Sequence, residues 1–102
     1  QGGVGSDLCQ EETMGDFYFE TRNYSAALEQ YQEALKVTRR AERVRRKCLA
    51  AQYNIGIQHI KQKDYATALR IMKSILKEEP GNTHARRKMQ QLEAALAKRS
   101  RE

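Results

Sequence analysis

Shifted against itself by 41 positions, this chain repeats. Met14-Gly15 falls on Ile55-Gly56, Tyr24 on Tyr65, and Ala27-Leu28 on Ala68-Leu69. Tyr31 meets Met72, Leu35 meets Leu76, and the turn residue Asn23 meets Asp64. Small residues returning at fixed places are more than hydrophobic periodicity demands. One supersecondary unit, used twice, accounts for them.

Each unit reads as two helices. In the first, Ser6 or Asp7 is placed to cap a helix running to about Glu20, and Thr21-Arg22-Asn23 breaks it. A second helix starts near Tyr24, with Tyr24, Ala27, Leu28, Tyr31, Leu35 and Thr38 on one stripe. In the second unit a helix through Ala51, Ile55 and Ile60 runs to about Gln62. After Lys63-Asp64 another helix carries Ala68, Leu69, Met72, Ile75 and Leu76 inward. Glu79-Pro80-Gly81-Asn82 stops it, and Thr83 is placed to cap a last helix with Ala85, Met89, Leu92 and Leu96 on one face.

The chain has 102 residues, enough for one domain with a thin core. With 39% hydrophobic and 31% charged residues, one proline and no tryptophan, it has the balance of a folded helical chain. Cys9 and Cys48 form no C-x-x-C pair, so a reducing compartment is expected, the cytoplasm first and the nucleus second. Asn23-Tyr24-Ser25 matches a glycosylation sequon, a triplet common by chance. No apolar run approaches a membrane span and no signal peptide is visible, so no membrane insertion is expected. Residues 1–5 read as a linker at the edge of a domain excised from something larger, residues 6–97 as the helical domain, and residues 98–102 as a basic, frayed tail.

The pattern resembles the tetratricopeptide repeat (TPR) family. Gly15, Tyr18, Tyr24, Ala27, Tyr31 and Ala34 carry the resemblance in the first unit, and Gly56, Tyr65, Ala68, Met72 and Pro80 in the second. It implies an all-α fold, a fragment of the TPR-like α-α superhelix with two antiparallel helix hairpins and a capping helix. Glycine and alanine at Gly15/Ala27 and Gly56/Ala68 would let the helices of each hairpin approach closely. Departures are Glu11 and Gln52 at large apolar positions, His59 at an aromatic or aliphatic one, Ile75 at a small one, and Arg39 where a proline is usual. The period exceeds the family's usual length of about 34 by almost two helical turns. The extension is expected between Val37 and Leu49, lengthening both helices that flank the junction.

No residue pattern supports catalysis. Cys9, Cys48, His59 and His84 fit no zinc spacing, and no phosphate-binding loop, nucleophile elbow or HExxH is present. Cys48 reads as a core residue, and Glu11-Glu12 as a solvated helix face. Neither an enzyme nor a cofactor or metal is expected. The net charge of +6 favours acidic partners without identifying one. It is concentrated in Arg39, Arg40, Arg43, Arg45, Arg46 and Lys47, interrupted by Glu42, and echoed by Arg86-Arg87-Lys88. This basic patch reads as a solvated face, an acidic-protein site, a nuclear import signal or a phosphate contact. It lacks the interleaved aromatics of single-strand binding, so nucleic acid ranks below protein.

The resemblance further implies a concave groove lined by the first helix of each hairpin. Glu12, Asp16 and Phe19 would come from the first unit, Tyr53, Asn54, Ile57 and Lys61 from the second, and His84, Arg87, Lys88 and Gln91 from the capping helix. Such a groove suits an extended or helical peptide and makes the chain an adaptor binding another protein. A TPR subclass clamps chaperone C-terminal carboxylates. Asn54 matches a clamp asparagine and Lys88 can stand in for a basic clamp residue, but Glu12 and Asp16 stand where that clamp has a lysine and an asparagine. Self-association is the other expectation, through Leu8, Met14 or Phe17 on the uncovered flank of the first helix.

Overall fold

The computed structural model describes residues 8–101, which form five helices and no strand. These are α1 (Gln10–Glu20), α2 (Tyr24–Leu35), α3 (Ala41–Lys61), α4 (Tyr65–Glu78) and α5 (Thr83–Arg101). The chain divides into two compact units, meeting in sequence at Ala51 and Gln52 inside α3. The first holds α1, α2 and the start of α3; the second holds the end of α3, α4 and α5.

The turns of the two units obey one local rule. Arg22 and Lys63, 41 residues apart, both have φ 65, the left-handed region. Each ends its helix in a Schellman motif. Asn23 N–H donates to Tyr18 C=O at 2.8 Å and Arg22 N–H to Phe19 C=O at 3.0 Å. Asp64 and Lys63 repeat the pair on His59 and Ile60 at 2.8 and 2.9 Å. The next residue then starts the following helix, since Asn23 Oδ1 accepts from Ala26 N–H and Asp64 Oδ1 from Thr67 N–H. Because a side chain at positive φ is strained, Arg22→Gly and Lys63→Gly should each stabilise the fold by about 0.5–1 kcal/mol, read as a rise in melting temperature.

Four details differ from the sequence reading, and one expectation falls outside the described residues. The Ser6 or Asp7 cap lies outside the described residues, as do residues 1–5; α1 begins after Cys9, which makes no side-chain cap bond. The extra residues lengthen α3 alone, to 21 residues, while α2 ends at Leu35 and Thr38 lies beyond it. The reason is local: Thr38 Oγ1 accepts the Arg40 N–H at 2.9 Å, competing with a helical turn there. Asn82, not Thr83, caps α5, its Oδ1 accepting from Ala85 N–H at 2.9 Å. The last helix runs on through Arg101, and the Arg99 guanidinium lies 4.9 Å from the centre of the Tyr65 ring. Finally, Glu12 is fully buried rather than solvated.

The first core joins Ala27, Tyr31 and Ala34 of α2 to Val44, Cys48 and Ala51 of α3. Both sets follow i, i+4, i+7 spacing, one stripe on each helix. The same positions in the second unit are Ala68, Met72 and Ile75, all buried, with Ala85 and Leu92 of α5. Ile75 replaces the small Ala34, and small Ala85 replaces Val44. Volume moves from one helix to the other, so the apparent departure at Ile75 is accommodated in a closed core. Glu79, with φ -139 and ψ 78, leaves the helical region that the following Pro80 disfavours, and α4 ends there.

Candidate functional site

In the first unit, α1 and α3 meet through ions. Arg43 forks onto Glu12, with Nε to Oε2 and Nη2 to Oε1 both at 2.8 Å. Lys47 Nζ donates to Glu12 Oε2 at 2.7 Å and to the Asp16 oxygens at 2.9 and 3.0 Å. From α2, the Tyr31 hydroxyl donates to Asp16 Oδ1 at 2.6 Å. Glu12 is inaccessible to solvent, and the side chains of Arg43 and Lys47 are only 32% and 28% exposed.

Burial by itself would raise the Glu12 pKa, but the bonds and charges of Arg43 and Lys47 outweigh it and hold the carboxyl below its ordinary value. Lys47 is the mirror case: burial would lower it, and Glu12 with Asp16 hold it above. Burial and the Asp16 carboxylate push the Tyr31 phenol up as well. Glu12 and Asp16 thus face the bases of their own unit.

The basic run is correspondingly divided. Arg43 and Lys47 point into the network. Arg45 Nη1 lies 3.0 Å from Glu42 Oε1, and Arg46 Nη1 lies 3.8 Å from Glu42 Oε2. Arg39 and Arg40 are exposed beside an open depression of about 500 Å³ that Glu42, Arg43 and Arg46 also line. Phe19, the remaining groove position of this unit, packs edge-on to Tyr24 with ring centres 5.1 Å apart.

The second unit carries different chemistry at the same register. A shift of 41 takes Glu12 to Tyr53, Asp16 to Ile57, Arg43 to His84 and Lys47 to Lys88. Where Glu12 and Arg43 form an ion pair, Tyr53 and His84 form a T-shaped ring pair with centres 6.3 Å apart. Burial raises the Tyr53 pKa, and the nearby charge of Arg87 partly offsets that rise. Tyr53, Asn54, Ile57 and Lys88 are half-buried, and Lys61, His84, Arg87 and Gln91 are exposed. The α3–α5 side of this unit therefore combines a partly exposed aromatic and aliphatic surface with three cations, Lys61, Arg87 and Lys88.

Cys48 is buried in the first core and its thiol pKa is raised by that burial. His59 Nδ1 lies 3.2 Å from Asp64 Oδ2, inside the helix-ending turn. Among the described residues no three His, Cys, Asp or Glu side chains group as a metal site, and no helix is long and apolar enough to cross a membrane.

A second cluster of cations escaped the sequence reading. Arg70, Lys73 and Lys77, at i, i+3 and i+7, share one side of α4 and join Arg86 of α5 around an open depression. The signal in the sequence is the spacing of Arg70, Lys73 and Lys77 itself, three separate cations interleaved with the apolar stripe of α4.

The Fis1 C-terminal tetratricopeptide repeat model matches residues 46–100, from within α3 to near the end of α5. No curated protein and no solved structure matches the chain. The paired helices and this match over more than half of the length agree: the chain belongs to the Fis1 C-terminal tetratricopeptide repeat family.

Proposed function

We propose that this chain is an adaptor whose second unit holds a partner's peptide segment on the α3–α5 side. That it is a protein-interaction module follows from its family, whose members are in general not enzymes. The finer reading rests on one observation. At matching positions the first unit joins Glu12 and Asp16 to Arg43 and Lys47, whereas the second carries Tyr53, Ile57, His84 and Lys88. The first set satisfies itself; the second presents apolar surface beside positive charge. An apolar side chain laid on Tyr53 and Ile57, flanked by carboxylates reaching Lys61, Arg87 and Lys88, would match it in shape class and charge.

Asp16 and Phe19 stay as secondary groove positions of the first unit, and Glu12 acts through Arg43 and Lys47 rather than by contact. The chaperone clamp is less well supported, because the positive groups nearest Glu12 and Asp16 are already bound to them.

The test is fluorescence anisotropy with a labelled peptide of aspartate and glutamate around a central phenylalanine. Tyr53→Ala combined with Lys88→Glu should weaken binding by at least about tenfold, the scale of losing an interface anchor. Arg39→Glu should change it little. If the double variant binds like the unaltered chain, this face is not the site.

A further inference from the structure

The depression between α4 and α5 has the features of a second docking surface. It has a volume of about 750 Å³ and lies wholly within the second unit. Arg70, Lys73, Lys77 and Arg86 surround it, and Leu76 and Met89 supply apolar floor. Arg86 is held by a hydrogen bond to the Pro80 carbonyl. Across the two helices Glu93 Oε2 stands 3.9 Å from Lys73 Nζ with both side chains about half exposed, too long and too solvated to cancel that charge.

This surface is separate from the α3–α5 side. At about 100° per residue, Arg86 and Met89 point from α5 roughly opposite to His84, Arg87 and Lys88. A helix whose two sides are both basic, one with an aromatic companion and one with an aliphatic floor, can serve two ligands at once.

We propose that the α4–α5 depression docks an acidic amphipathic protein segment, with carboxylates meeting Arg70, Lys73, Lys77 and Arg86 and an apolar side chain seated on Leu76 and Met89. Charge complementarity selects the occupant. Four cations with one acid among the described residues, Glu93, within ion-pair distance favour an anionic partner, and the aliphatic floor favours an apolar side chain on it. A nucleic acid would meet no aromatic platform on which to stack its bases here. The inference does not depend on the α3–α5 reading.

The experiment starts from the Tyr53→Ala/Lys88→Glu chain, so that the other face is already disabled. The probe is a labelled peptide with aspartate and glutamate on one helical face and leucine on the other. It should still bind, and adding Arg70→Glu/Lys77→Glu should weaken it by more than about tenfold, with an unchanged circular dichroism spectrum and melting temperature. Both altered residues are exposed, so the fold should tolerate them; Leu76→Ser in the same background gives an independent reading should the charge reversals disturb it. In the ¹⁵N-labelled unaltered chain the peptide should shift the amides of Lys73, Lys77 and Met89. Unchanged affinity in the charge-reversed and Leu76→Ser chains would overturn the proposal. So would a DNA duplex or phosphatidylserine vesicle binding more tightly than the peptide and losing that binding with the same substitutions. Loss of all peptide binding in the starting chain would also overturn it, while leaving the α3–α5 reading intact.

Discussion

Replacing Arg43 and Lys47 together by methionine is expected to destabilise the fold by about 3–5 kcal/mol, because it strands the buried Glu12 carboxylate without a positive partner. Both bases are more than two-thirds buried, so solvent does not screen the loss as it would on an open surface. Adding Glu12→Leu should recover most of the stability, since the penalty belongs to the unpaired charge rather than to the missing ion pair itself. Urea unfolding of the three chains measures this, and a double variant as stable as the unaltered protein would show that Glu12 reaches water.

The pH dependence has a definite sign. Glu12 is held below its ordinary value of 4.5, so its contribution is present above that pH and is lost as pH falls through the lower folded value. Lys47 and Tyr31 are held above their ordinary 10.5 and 10.0, so their contributions are present below those values and are lost as pH rises through the folded ones. In Arg43→Met/Lys47→Met the acid limb should invert. A buried carboxylate without a cation has a raised pKa, so acidification toward pH 4.5 should stabilise the double variant relative to neutral pH.

The two interhelical glycines should respond unequally to alanine. A Cβ on Gly15 would lie 2.5 and 2.6 Å from Cε1 and Cδ1 of Tyr31. That ring is 2% exposed, and its hydroxyl is tied to Asp16, so it has nowhere to move without breaking the ion network. Gly15→Ala should therefore destabilise by roughly 1–3 kcal/mol despite the helical preference for alanine. On Gly56 the corresponding atom would meet the terminal Cε of Met72 at 2.7 Å and Ile71 Cγ2 at 3.3 Å. A methionine methyl can swing aside, so the strain is small and the gain of about 1 kcal/mol in helix propensity roughly offsets it. Gly56→Ala should leave the denaturation midpoint nearly unchanged. No loss at Gly15 would show that the Tyr31 ring is free to retreat, and an equal loss at Gly56 would show that the Met72 methyl is not.

Much of the fold was legible in the residues. Asn23 and Asp64 start their helices where the repeat lays one on the other, and Ala27, Tyr31 and Leu35 mark the inward stripe of α2. These signals act within one or two helical turns, so the order of residues contains them. The site was only partly legible. The register linking Glu12 to Tyr53 and Arg43 to His84 lies in the 41-residue shift itself, but not the fate of those side chains.

By itself, then, the sequence determined the helices, the doubled unit and the places where two helices approach closely. Only the tertiary structure decided which charges are available. The run from Arg39 to Lys47 appears in sequence as one basic patch, yet Arg43 and Lys47 turn toward Glu12 and Asp16, more than 30 residues away. Arg70, Lys73 and Lys77 look dispersed, yet they gather with Arg86 around one depression. Helix formation is governed by neighbours a few residues apart, whereas the free charge of a lysine depends on what another helix brings within about 3 Å of its nitrogen, a distance that sequence separation does not encode.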